Sequence, residues 1–490
     1  MTWRLQGDRW RVVLVVVLAL PLLAWALSWV LHGWIPQGDE AWIALKTQDV
    51  FSAHPPLQGM RSTSDLQWTG VWAHHPGPIE FYLLAVPYAV TGFHPVGLIL
   101  GCFLLAVALI WLAVEHGWAA GRSNGVVVVV LAVVGSEIML GPSLVLPWNP
   151  WPAVLGTVTL LVLAWQLLLD KLSALPWFVA VASLVLQANL ALLPVVLPLL
   201  IVLAVVGLLR WHERRSAIWP LPGWGAVDRP RVWRRPGARA VAVGVACWLP
   251  AVVELFEVTP NNASQLWALT TRELAGPLHL VAAALLVVAC CWAARRIAPQ
   301  SLTARSAARS VSGCLATGVL AALAAGGTRR LGYLFMAFGA VLFAAAARRD
   351  RWPMRQRLSA VPPAGWAAVG LTIALCIGPG APMALSFTRG ELRSTTRAQP
   401  VPGAVRQELR ADGVRSGAVV IRGVGAQGWA SYAPAVVAFL AAHGYTPYFD
   451  VAWGHPEDDE YRRIRNAPAD AVQVTVGDDG VPVVKLPAAG

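Results

Sequence analysis

Long apolar runs separated by short polar stretches set the pattern of this chain. Runs of roughly 20 apolar residues, each long enough to cross a bilayer as a helix, recur from residue 12 to about 385. The first, 12–31, carries no charge. It leads into Trp34-Ile35-Pro36-Gln37 rather than a small-residue cleavage site, so it reads as a retained helix and not a signal peptide. Further spans are expected at about 95–114, 125–141, 152–169, 174–190, 193–209, 240–257, 276–294, 310–325, 331–347 and 364–385. The run Ile79–Val90 is too short to span and contains Pro87; it is expected to lie along the membrane surface.

From about residue 389 the pattern becomes that of a soluble domain. Strands are expected at 417–422, 448–451, 471–476 and 481–486, with helices at 430–443 and 458–465. The sequence thus predicts a polytopic α-helical membrane protein of about 11 transmembrane helices. Its transmembrane domain covers 1–388 and includes a long first outer loop, 36–94. A small extracytoplasmic α/β domain covers 389–490.

Charge orients these segments. The chain is 57% hydrophobic and 13% charged, and its net charge of +12 is carried almost wholly by Arg, Lys occurring only at 46, 171 and 485. A basic balance can indicate nucleic acid. Here, however, the Arg residues gather in short loops between apolar runs, as in cytoplasmic loops under the positive-inside rule, and no nucleic-acid partner is expected. Arg4, Arg9 and Arg11 place the N-terminus in the cytoplasm, and the block from Arg210 to Arg239 belongs on the same side. Asp39 and the C-terminal domain then face outward across a plasma membrane. Arg329-Arg330 alone break the rule, landing on the outer side. The Ala, Val, Gly and Pro abundance, with Arg favoured over Lys, fits a high-GC bacterial genome such as that of an actinobacterium.

The candidate chemistry lies in the first outer loop. Two adjacent carboxylates, Asp39 and Glu40, follow the first span, where a general base would meet a lipid-carried substrate. The alternative for the pair is a solvated helix-end cap. The loop also holds four of the ten His, at 54, 74, 75 and 94. No HExxH-like spacing accompanies them, so His74-His75 read as an interfacial hydrogen-bonding pair rather than metal ligands. The six Cys (102, 247, 290, 291, 314 and 376) fall in or beside apolar runs without metal spacing. Gly423-Val424-Gly425-Ala426-Gln427-Gly428 matches GxGxxG between a strand and a helix, with Asp450 beyond it. One βαβ unit outside the cytoplasm is a small base for a dinucleotide site, so the motif reads as a glycine-rich turn, and the domain as one that packs or binds glycan.

Gly38-Asp39-Glu40-Ala41, followed by His75-Pro76-Gly77-Pro78 before Phe81-Tyr82-Leu83-Leu84, resembles the GT-C glycosyltransferases, in particular the protein O-mannosyltransferase and aminoarabinose transferase branch. Those enzymes carry an acidic residue early in the first outer loop and a Lys-Pro-Pro-like turn before a juxtamembrane helix; the present turn lacks that Lys. Trp148-Asn149-Pro150-Trp151, Ser183…Gln187-Ala188-Asn189 and Trp248-Leu249-Pro250…Asn261-Asn262 are similar to segments of actinobacterial envelope proteins.

The resemblance implies inverting transfer of a sugar, arabinofuranose or mannose, from a polyprenyl-phosphate donor to a cell-envelope glycan or lipid. By match to the family's acid Asp39 is the candidate base and Glu40 orients the acceptor, or the two exchange roles. A leaving lipid phosphate needs a cation. Arg330 is the first candidate, Arg329 its neighbour and Arg272 the second; a divalent cation could serve instead. His74, His75, Trp148 and Asn189 are candidates for substrate contact; for Trp148 and Trp151 stacking on a sugar face is the alternative to the favoured reading as interfacial anchors. The rival function, a transporter or lipid-carrier flippase, would show ionisable residues at mid-membrane and repeated halves. Here the helix interiors are nearly free of charge. A third reading is a non-catalytic envelope scaffold.

Overall fold

In the computed structural model the described residues are 2–62, 71, 73–189, 192–216, 230–273, 277–324, 381–449 and 460–487. The expected spans at 331–347 and over 364–380 lie outside them, as do Arg329, Arg330, Cys376 and Asp450. Among the described residues, five helical stretches are long and apolar enough to cross a membrane: Arg9–Leu31, Pro95–Val145, Pro150–Leu168, Leu193–Glu213 and Arg235–Glu257. This is a membrane-embedded, mostly helical protein.

The helices are α1 (Thr2–Leu31), α2 (Gly38–Asp49), α3 (Ile79–Val90), α4 (Pro95–Leu140), α5 (Pro150–Leu168), α6 (Leu175–Ala188), α7 (Leu193–Ser216), α8 (Pro230–Glu257), α9 (Asn262–Glu273), α10 (Pro277–Ile297) and α11 (Ala304–Ala324). They follow the apolar runs closely, except α2 and α9, which form where no run is expected. The expected spans at 95–114 and 125–141 are the two arms of α4, which reverses at Arg122, where φ is +50°. The arms meet at Gly117 and Gly125; a Cβ on Gly125 would collide with the Gly117 carbonyl. Such backbone approach is how helices associate in lipid, where apolar burial offers no driving force. The short helix α3 has the expected bounds and packs on α4, where a Cβ at Gly97 would strike Pro87 and Tyr88.

The first outer loop departs from expectation. Residues 38–49 are not loop but α2, and seven of its twelve residues are buried. Its sequence, GDEAWIALKTQD, lacks a one-sided apolar stripe because it is covered on two sides. Ala41, Ile43 and Ala44 join the core of the transmembrane bundle, while Leu45 joins the core of the C-terminal domain.

That domain is entered through α12 (Ala381–Ala398) and α13 (Pro400–Ala411), neither anticipated; the proposed boundary at 388/389 falls inside α12. Then come β1 (Gly417–Gly423), α14 (Ala433–Ala442), β2 (Tyr445–Phe449), β3 (Val472–Val476) and β4 (Pro482–Lys485). The sheet order is β2-β1-β3-β4, with β1 parallel to both neighbours and β3–β4 antiparallel. The second strand therefore begins at Tyr445, ahead of the expected 448, and runs through Pro447. It is an edge strand, where a missing N–H costs no ladder bond. The expected helix at 458–465 is, over its described part, two short 3-10 turns, Glu460–Arg462 and Ile464–Asn466.

Candidate active site

Gln37 starts the site. Its main-chain carbonyl accepts from the Glu40 and Ala41 amides at 3.0 and 3.3 Å, opening α2. Gly38 follows with φ +52°, and a Cβ there would lie 3.2 Å from the Ala430 carbonyl of the C-terminal domain. Only glycine takes that backbone freely, and the turn aims Asp39 and Glu40 into the seam between membrane bundle and C-terminal domain. A cavity of about 230 Å³ occupies the seam, lined by Gln37, Gly38, Asp39, Glu40, Trp148, Glu391, Ser394, Ala430 and Ser431.

Three carboxyls thus share one small cavity. Asp39 remains solvent-accessible and accepts from Trp148 Nε1 on Oδ2 at 3.2 Å. The surrounding protein raises its pKa, while the Trp148 bond and the charge of Arg61 oppose the rise. Glu40 is buried and lies far above the usual carboxylate range, through burial first and then the charges of Glu391 and Asp39. Glu391 is also raised by burial, against hydrogen bonds from Gln37 and Glu40. Arg61 comes from the far part of the first loop. Its guanidinium carbon sits 5.3 Å from the ring centroid of Trp42, one helical turn after Asp39. Trp42 in turn packs on Phe449 of β2, with ring centroids 4.7 Å apart.

Of the residues expected from sequence, Asp39, Glu40 and Trp148 come together here. His74 and His75 do not line the cavity. They belong to a loop that Asn262 of α9 holds by its main chain, accepting from the His74 amide at 2.8 Å and donating to the His74 and His75 carbonyls at 3.3 Å each. Burial pushes the His75 imidazole down to about 4, with a smaller effect from His74. Asn189, at the end of α6, also lies away from the cavity lining. Arg272 falls on α9, and Arg329 and Arg330 lie outside the described residues. Among the described residues no group of three His, Cys, Asp or Glu gathers in a way that could hold a metal ion.

Glu391, Gln37, Ser394 and Ser431 were not anticipated. A usable signal existed for Glu391, which, like Asp39, follows an expected membrane span on the same side. The GxGxxG segment also finds its place. Asp478 accepts from the Gln427 and Gly428 amides at 2.7 and 3.0 Å, and a Cβ on Gly425 would strike its carboxylate. The chain's own carboxylate occupies the anion position of this turn, which then delivers Ala430 and Ser431 to the cavity wall.

No family model matches the sequence, and no curated protein does. Among solved structures, the crystal structure of ArnT from Cupriavidus metallidurans bound to undecaprenyl phosphate aligns over 99% of both chains, with a TM-score of 0.51 and 14% sequence identity. The fold is that of ArnT. Relative to ArnT the alignment spans the C-terminal domain as well as the membrane helices.

Proposed function

We propose that the protein is an inverting glycosyltransferase that moves a sugar from a polyprenyl-phosphate carrier to an acceptor hydroxyl at the outer face of the membrane. The observation that carries this reading is the carboxyl-lined cavity at the seam of the bundle and the C-terminal domain, in a fold shared with a protein crystallised with undecaprenyl phosphate. An acceptor hydroxyl is a weak nucleophile, and a carboxylate that takes its proton during attack supplies about 10²–10⁴-fold in rate. Asp39 takes this role, being the accessible acid. The acceptor oxygen bonds to the anomeric carbon, the bond from that carbon to the phosphate oxygen breaks, and the polyprenyl phosphate leaves with the electron pair.

Among the described residues that line the cavity there is no cation. The cavity therefore suits the acceptor and the base, and the phosphate belongs beside it, near a guanidinium. Arg61, whose charge already reaches Asp39, joins Arg330, Arg329 and Arg272 as a candidate. Arabinofuranose or mannose is the sugar the sequence resemblance favours, and an envelope glycan or lipid the acceptor. On this reading the N-terminus is cytoplasmic and residues 389–490 are extracytoplasmic.

The test is transfer by the purified protein in nanodiscs. Labelled polyprenyl-phosphate arabinofuranose or mannose is supplied with envelope glycan acceptors, with and without a divalent cation. A new glycosidic bond that Asp39→Asn abolishes supports the reading. Movement of the labelled donor across liposomes without transfer would replace it with a flippase.

A further inference from the structure

The side-chain amide of Gln37 is held on both ends. Its Oε1 accepts from Ser394 Oγ at 2.9 Å and from Ser431 Oγ at 2.7 Å. With the oxygen turned to two hydroxyls, Nε2 is left to donate, and it donates to Glu391 Oε1 at 3.3 Å. Glu391 is thus an acceptor on that oxygen. It also stands within hydrogen-bonding reach of Glu40. Two carboxylates cannot share a hydrogen bond without a proton. The Gln37 amide favours the ionised form of Glu391, and Glu40, which lines the same cavity and at 6% exposed is the more deeply buried of the two, is the better placed to keep the shared proton.

We infer that Glu391 is a positioning residue of this site: by accepting the hydrogen bond of Glu40 it holds Glu40 in the neutral form, and so leaves Asp39 as the proton acceptor of the acidic pair. The inference rests on the transferase reading for its purpose but not for its measurement. It resolves the ambiguity the sequence leaves between the two adjacent acids. Like charges in one small cavity cannot all be ionised together. Gln37 fixes which one gives way, because it joins the start of α2 to α12 and to the C-terminal domain at one point. The groups facing Glu40 are Asp39 on its own helix, Glu391 from α12, and, on the bundle side, Cys102 of α4, which lies within electrostatic reach of both Glu40 and Glu80. Arg61 faces Asp39. The described part of α14 that packs on α2 contributes no titratable side chain.

The test is infrared spectroscopy of the full-length protein in nanodiscs across a pH series, reading the C=O stretch of protonated carboxyls. The band missing from Glu40→Gln belongs to Glu40, which separates it from that of Glu80. In the wild type this band should persist through neutral pH. In Glu391→Gln, which removes the neighbouring charge, it should titrate at least about one pH unit lower, a tenfold loss of proton affinity. Glu391→Asp, which keeps the charge, should retain most of the wild-type behaviour and controls for misfolding. A Glu40 band that is absent at neutral pH in the wild type, or unmoved in Glu391→Gln, overturns the assignment. Where transfer can be assayed, Glu391→Gln should also move the acidic limb of the pH–rate profile, whereas a merely structural role would scale the rate at all pH values alike. A band that behaves as expected in a protein that transfers no sugar would leave the carboxyl assignment standing and remove the transferase reading.

Discussion

Arg462 grips Asp49 with both terminal nitrogens, at 2.9 and 2.7 Å, while Tyr461 donates to the same carboxylate at 2.7 Å. Asp49 ends α2 and Arg462 belongs to the C-terminal domain, and their side chains are only 3% and 11% exposed. His54 stacks on Tyr461, with ring centroids 4.1 Å apart. Removing one partner of a buried pair strands the other charge, at about 3–5 kcal/mol. Arg462→Met is expected to loosen the C-terminal domain by that order, seen as earlier thermal unfolding and faster proteolysis near residue 400. Wild-type proteolysis kinetics in the variant would show that the pair does not hold the domain.

Trp148 tunes Asp39. Its N–H bond favours the ionised carboxylate and opposes the rise that burial causes. Trp148→Phe keeps a ring but deletes the donor, so the Asp39 pKa should climb further. On the proposed mechanism, in which Asp39 is the base and works only when deprotonated, activity is lost as pH falls through that value. The acidic limb of the pH–rate profile should therefore shift to higher pH in the variant; a limb that stays in place separates Trp148 from the base.

Glu80 is buried at the start of α3, its Oε1 has no hydrogen-bond partner, and burial raises its pKa to about 8. The native state keeps the proton between pH 4.5, the ordinary value, and about 8, while the unfolded chain gives it up. Stability is consequently highest below pH 4.5 as far as this group is concerned, and falls by roughly 1.4 kcal/mol per unit up to about pH 8. Glu80→Gln should flatten that part of the stability–pH curve and be the more stable protein at neutral pH. Parallel curves for the two proteins would mean that Glu80 finds a partner in solution.

Asp478 caps the glycine-rich turn with its carboxylate, and the Gly428 and Gln427 amides lower its pKa, Gly428 most. Its contribution is present above the ordinary 3.8 and disappears as pH falls through the lowered value. Asp478→Ala should speed hydrogen exchange at the Gln427 and Gly428 amides without creating affinity for a dinucleotide. Saturable NAD binding by either protein would contradict the self-capped turn.

The membrane helices were legible because lipid demands long apolar runs and rewards little else; those that are described begin and end within a few residues of their runs apart from the polar extensions of α1, α7, α8 and α11, whereas α2, α9, α12 and α13 had no run to announce them. Asp39 and Glu40 were legible as charges out of place. What the sequence hid is what depends on distant partners. The helix α2 has no single apolar face, because Ala44 and Leu45 look into different cores. Glu391 lies 351 positions beyond Glu40, and nothing local ties it to Gln37. The Gly-rich motif misleads for the opposite reason: its local pattern is right, but Asp478 fills it from another strand connection. His74 and His75 looked chemical because they are polar in an apolar chain, whereas their main chain, held by Asn262, is what the fold uses.

The two-sided burial of α2 also bears on synthesis. Residues 38–49 leave the ribosome early, yet the side chains of Leu45, Gln37 and Asp49 find partners among residues after 390. Until the last fifth of the chain is made, one flank of this helix has nothing to rest on, and the cavity has no roof. A nascent or truncated chain can therefore insert its membrane helices while lacking a formed cavity, which is completed only towards the end of translation.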